Sequence, residues 1–157
     1  MIMKLADLKK EYGLLATKYK LPKFAELNED FEIEKCEKES ETLLRVIRKA
    51  MMEKIISSLG FVEMLLNPMN APRMYLSYIH GMGADDKKSI EKIYTAFADI
   101  SAVALECEID YSEKNEAELI RSIFDTWQKV KLEFRKILTH LKAPSLKVEK
   151  VQKSYFG

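Results

Sequence analysis

Apolar residues recur every three or four positions through most of this chain, the period of one face of an α-helix. Leu5, Leu8, Tyr12, Leu15 and Tyr19 make the first such stripe, over Met3 to Lys20, and Gly13 weakens that helix without breaking its pattern. Pro22 ends it and suits the first turn of a short helix through Leu27, followed by a connection at Asn28 to Asp30. From Glu32 to Leu66 no proline intervenes, and Ile33, Cys36, Leu44, Ile47, Met51, Ile55, Val62 and Leu65 form one stripe. Opposite charges four residues apart (Glu34/Lys38, Lys35/Glu39, Glu41/Arg45, Lys49/Glu53) support its outer side. Unbroken, this helix would be about 50 Å long, against a diameter of about 40 Å for a compact domain of this size. It must protrude, kink or pair with a second chain, and Ser57-Ser58-Leu59-Gly60 is the place for a kink or stop.

Asn67 to Pro72 reads as a turn, with Asn70 set to cap a short helix from Ala71 to His80. That helix is apolar nearly all round (Met74, Tyr75, Leu76, Tyr78, Ile79), which predicts burial on several sides. Gly81 to Ala84 ends it, and Asp85 and Asp86 open the next helix at the favourable end of its dipole. Its stripe is Ile90, Ile93, Phe97, Ile100, Ala104, Cys107 and Tyr111. After a turn at Asp110 to Lys114, Asn115 and Glu118 predict a capping-box start for the last long helix. There Ile120, Ile123, Trp127, Val130, Phe134, Ile137 and Leu141 keep a seven-residue repeat, which suits coiled-coil-like packing within the chain or between two copies. Beyond Pro144, Leu146 to Phe156 alternates in part and reads as a strand-like arm or a tail. The predicted fold class is all-α: an elongated antiparallel helical bundle of four long helices plus short connecting helices. Residues 1–143 form the bundle domain, and residues 144–157 a basic C-terminal arm or tail.

Composition adds little to this frame. The 157 residues suit one domain, and a hydrophobic content of 47% predicts a globular chain. Net charge is +1, so there is no global pull toward nucleic acid or acidic membranes. The charge is unevenly spread: residues 26–41 hold eight acids against Lys35 and Lys38, and Glu106 to Glu118 six against Lys114. Residues 129–153 carry eight bases against Glu133 and Glu149. The plainest reading of these runs is solvated helix faces that attract each other within a bundle or dimer. Cys36 and Cys107 fall at apolar-face positions and are expected as buried free thiols. Lys4, Asp7, Lys9 and Lys10 interrupt any signal-peptide pattern, and no uncharged run approaches the ~20 residues of a membrane span, so a cytoplasmic protein with no membrane contact is expected. Abundant Lys and Glu with only Gln128 and Gln152 as glutamines is a thermophile-like bias, against which eight methionines run.

Candidate chemistry is sparse. A di-iron carboxylate site needs Glu-x-x-His pairs, but Ser77 precedes His80 and Ile137 precedes His140 at that spacing. Helical nucleoside-triphosphate pyrophosphatases pair Glu-x-x-Glu with a later Glu-x-x-Asp; Glu34 and Glu37 supply the first half and nothing supplies the second. No metal site and no cofactor is expected. Arg135-Lys136-Ile137-Leu138-Thr139-His140 is similar to the arginine-to-histidine motif of HEPN domains, a family of helical-bundle ribonucleases. The resemblance implies that Arg135 would hold the scissile phosphate and His140 would act in acid–base transfer across a dimer. Arg73 and His80 satisfy the same motif. A third reading is nucleic-acid binding through the basic stretch Lys129 to Lys153, with Tyr155 and Phe156 free to stack.

The reading placed first is a non-catalytic protein-interaction or assembly module that homodimerises. From Ile55 to Ala84 the chain has only two charges, Glu63 and Arg73, and it carries Met64, Met69, Met74 and Met82. Methionine is unbranched and polarizable and suits both irregular cores and adaptable partner surfaces. Most of this segment is expected in the core. Met69, Met74, Tyr75, Tyr78 and Met82 are the residues expected to bind a partner at residues 67–83.

Overall fold

The structure is a computed structural model that describes the backbone of residues 3–37 and 42–156, with side chains up to His140 except Asn70. The described residues are helical, with no strand among them: α1 (Leu5–Tyr19), α2 (Phe24–Phe31), α3 (Leu43–Leu66), α4 (Arg73–His80), α5 (Ala84–Ile109) and α6 (Glu113–Phe156), plus short 3-10 turns at Ile33–Lys35 and Pro68–Asn70.

Helix α1 ends as expected before Pro22, by a Schellman-type closure in which the Leu21 N–H reaches the Ala16 carbonyl at 3.0 Å. Lys20 takes the left-handed conformation (φ 55°) usually given to glycine. The Tyr12 hydroxyl, buried in the core, donates to the Pro22 carbonyl at 2.6 Å and pins the turn against the helix. Helix α2 starts two residues later than Pro22 and passes through the expected connection at Asn28 to Asp30. Its first turn is closed by the Glu26 carboxylate, which accepts the Lys23 backbone N–H at 3.0 Å.

The long helix expected from Glu32 to Leu66 is not formed. Glu32 adopts φ 50° and ends α2, Ile33 to Lys35 make a 3-10 turn, and a regular helix resumes only at Leu43. Two forces explain the break. Acids three and four residues apart (Glu29/Glu32, Asp30/Glu34, Glu34/Glu37) repel along a continuous helix. The turn also drives Ile33 to complete burial, while the Asn28 side-chain oxygen accepts the Glu34 N–H at 2.9 Å. Lys38, Glu39 and Glu41, counted above in three of the four charge pairs, lie outside the described residues. Conversely, α3 runs through Ser57 to Gly60 without a stop, because Val62 and Leu65 carry its buried stripe onward. At 24 residues α3 is about 36 Å long and fits a compact domain, so it does not require a second chain.

Helices α3, α5 and α6 each pack against the other two, and α1 lies against α2 and α6. Three long helices therefore surround the centre, with the shorter α1 beside them, where four long helices were expected. Contacts set their directions. Arg45 near the start of α3 meets Glu108 near the end of α5, and Asp86 at the start of α5 meets His140 far along α6. Hence α5 is antiparallel to both neighbours, and α3 runs parallel to α6. The centre holds Ile47, Met51 and Ile55, then Ile90, Ile93 and Phe97, then Ile120 and Ile123, all buried. Phe97 stacks on Trp127 (6.3 Å, 16°), and both meet the Phe134 ring. These are the stripe positions predicted for α3, α5 and α6; Tyr111 lies beyond α5 and is exposed, and the Leu141 side chain lies outside the described ones.

Two further expectations are corrected. Helix α4 begins at Arg73 after Pro72 and has no buried residue, in place of burial on several sides. Tyr78 and Ile79 touch the core while Met74 points away, so one flank alone packs. At the other end, α6 runs past Pro144, which has no N–H to give the helix, to Phe156, so the segment expected as a strand-like arm or tail is helical. Its start is set by Ser112, whose hydroxyl accepts the Asn115 N–H at 3.3 Å, three residues before the expected cap.

Candidate functional site

The most organised chemistry in the molecule is a charge cluster where α3 and α6 begin and α5 ends. Arg48 lies on the core side of α3, 3% exposed, and Glu116 on the first turns of α6 is fully buried. They pair through two parallel hydrogen bonds, Nε to Oε2 at 2.7 Å and Nη2 to Oε1 at 2.9 Å. The third guanidinium nitrogen of Arg48, Nη1, bonds Glu108 Oε1 at 2.8 Å, and Arg45 Nη2 bonds Glu108 Oε2 at 2.8 Å. Arg45 also sits over the Tyr111 ring, whose hydroxyl donates to Thr42 at 2.8 Å. Two arginines and two glutamates thus close a neutral lattice joining three helices. Burial works against the Arg48 charge, but the bonds and charges of Glu116 and Glu108 outweigh it and hold Arg48 above the ordinary arginine value.

This geometry predicts an acid limb. Hydrogen bonds from Arg45 and then Arg48 hold the Glu108 carboxyl down at about 2. Unfolded, it would titrate at about 4.3. A depressed carboxylate contributes stability that is fully present above the unfolded value and is lost as pH falls toward the folded one. Urea midpoints are therefore expected to drop between about pH 5 and about pH 2, and the drop should be shallower in Glu108→Gln. Equal slopes for the two proteins would show that Glu108 carries none of it.

Burial and then the Glu53 charge push the Cys36 thiol up to about 11, and burial and then Glu116 raise Cys107. Both thiols stay protonated, as expected of free cysteines, although Cys36 is only half-buried. No group of three or more His, Cys, Asp or Glu among the described residues is placed to hold a metal ion. Arg135 and His140 both lie exposed on α6, five residues and hence about 140° apart around the helix axis, so one chain does not bring them together. His140 Nδ1 instead lies 2.8 Å from Asp86 Oδ1.

Of the residues expected to bind a partner, Met69 is 89% exposed and Met74 is 70% exposed. Tyr75 and Tyr78 are half-buried, with ring centroids 6.2 Å apart. Met82 is a correction: it belongs to the core, where the chain turns in from α4 to α5.

Two open grooves complete the surface. One, of 950 Å³, lies between α2 and α3, where acids and lysines alternate around Cys36. The other, of 930 Å³, lies between α5 and α6. Comparisons with protein-family models, curated proteins and solved structures find no match. What the chain does has to be read from these surfaces.

Sequence reasoning passed over Arg48, Glu108 and Glu116, assigning the acids of 106–118 to a solvated face. The signal was present in part. Arg48 falls four residues after Leu44 and three before Met51, inside an apolar stripe, and Glu116 sits one turn before Ile120 in the stripe of α6.

Proposed function

We propose that this chain is a non-catalytic protein-interaction or assembly module that self-associates and presents the apolar face of α4 and its preceding turn to a protein partner. The observation that carries this reading is the exposure of Met69 and Met74, on a short segment that touches α3 through the turn at Pro68–Asn70 and α6 through one flank of α4. An exposed large apolar side chain is ordinary when single. Two flexible thioethers on one short segment, which also carries the paired Tyr75 and Tyr78 rings, make an adaptable contact surface. The protonated thiols favour a binding role over thiol catalysis. Self-association gains support from α6, which at 44 residues is about 66 Å long and exceeds the core it serves. Among the described residues no helix is long and apolar enough to cross a membrane.

Methionine footprinting tests the partner face. Mild peroxide should convert Met69 and Met74 to sulfoxides quickly in the purified protein, and more slowly in an extract of its source cells, as read by mass spectrometry. Core Met51 and Met82 should stay unreacted in both. Identical oxidation of Met69 and Met74 with and without extract would remove the α4 surface from the reading.

A further inference from the structure

Helix α6, Glu113–Phe156, is the longest helix, and α1, α3, α4 and α5 all pack on it. It starts level with α3, through Arg48–Glu116, and passes the first turn of α5 at His140. Residues 141–156 continue as helix beyond that point for about 24 Å. The seven-residue apolar repeat does not stop at the edge of the bundle: Leu141, Pro144, Val148, Val151 and Tyr155 extend it in register. The same segment carries Lys142, Lys147, Lys150 and Lys153 against Glu149 alone. It is a basic amphipathic helix, the form that lays its apolar stripe into a groove.

The complementary groove lies at the opposite end of the bundle. Between α5 and α6, Ile100, Val103, Cys107 and Leu119 form an apolar floor, and Glu106 and Glu118 stand on an acidic rim, with neither Lys nor Arg in the lining. Along α6, Leu119 and Val148 are about 44 Å apart, and the helix between them is continuous, so a chain cannot fill its own groove. A second copy lying antiparallel can. The two-fold axis then passes near residue 134. The charges select this direction: the groove is lined by Asp99, Glu106, Asp110 and Glu118 with neither Lys nor Arg, and residues 129–153 of α6 carry eight bases against Glu133 and Glu149, so antiparallel copies set opposite signs together.

We propose that the groove between α5 and α6 receives the basic C-terminal segment of α6 from a second copy of this chain, reciprocally, in an antiparallel dimer. This rests on the self-association part of the reading above and is independent of the α4 face. Docking would seat the apolar repeat of the segment against Val103, which is 44% exposed, and closed two-fold exchange leaves no free groove for further growth.

A charge swap in full-length chains tests it. Sedimentation velocity at moderate salt should show wild-type chain at twice its 18.2 kDa mass. Groove variant Glu106→Lys/Glu118→Lys and segment variant Lys147→Glu/Lys150→Glu/Lys153→Glu should each dimerise at least tenfold more weakly. Mixed together, they should recover a heterodimer, which also shows that both fold. All substituted rim acids are exposed and outside the Arg48 cluster. Variants that dimerise as well as wild type would overturn the docking and leave self-association standing on another face. A wild-type chain that is monomeric at high concentration would overturn both. Loss of binding to a single-stranded RNA oligonucleotide in the segment variant of such a monomer would assign the lysines to nucleic acid instead.

Discussion

Replacing Glu116 by alanine is expected to lower the unfolding free energy by about 3–5 kcal/mol, among the largest effects of any single substitution in this chain. The side chain is fully buried and supplies two of the three acceptors around Arg48, at 2.7 and 2.9 Å. Removing it leaves a guanidinium that is 3% exposed with only Glu108, which is shared with Arg45. The loss then measures an uncompensated buried charge, not the worth of the pair. The double variant Arg48→Met/Glu116→Leu separates the two. It removes both charges, keeps comparable volume, and is expected to recover most of the loss or exceed the wild type. Urea unfolding at neutral pH reads both numbers. A Glu116→Ala protein within about 1 kcal/mol of wild type would mean that water reaches Arg48 and that the cluster is not a closed lattice.

That cluster also marks where the sequence stops being legible. The stripes of α5 and α6 could be read because apolar residues recur at alternating spacings of three and four, so local pattern and tertiary burial agree. Arg48 and Glu116 break that agreement: each is a lone charge within a stripe, and what makes each tolerable is the other, 68 residues away. A pattern over neighbours has no access to that distance. The break after Glu32 escaped for a similar reason. Its left-handed turn is offset by the burial of Ile33 against other helices, not by a glycine or proline that would mark it. The methionine turns show the same limit at the candidate site. Met69 and Met82 sit in comparable apolar turns flanking α4, yet one is almost fully exposed and the other is core. Which is which depends on the side from which the crossover meets α6. The charge runs carry a longer-range signal: the acids of 106–118 lie where α5 ends and α6 begins, the bases of 129–153 lie farther along α6, and that polarity is what the proposed dimer uses.

Replacing Phe97 by alanine is expected to cost about 3–5 kcal/mol, the other large effect. Phe97 is completely buried on α5, between α3 and α6, and its ring stacks on Trp127 and meets Phe134. Deleting the ring removes its transfer term and leaves a cavity bounded by rigid helices, which cannot collapse into it without shifting α6. Trp127 is the one tryptophan in the chain, so its emission reports the same event from inside the cavity. The contrast with Met74→Ala is what gives the number meaning. That side chain is 70% exposed on α4 and its loss should change stability by no more than about 0.5 kcal/mol. If Phe97→Ala proved as mild as Met74→Ala, α5 would not be packed between α3 and α6, and the groove assigned to the partner segment would lose its floor. If both variants were severe, α4 would be a structural strut, and the exposed methionines would have to be explained by the fold before any partner was invoked for them.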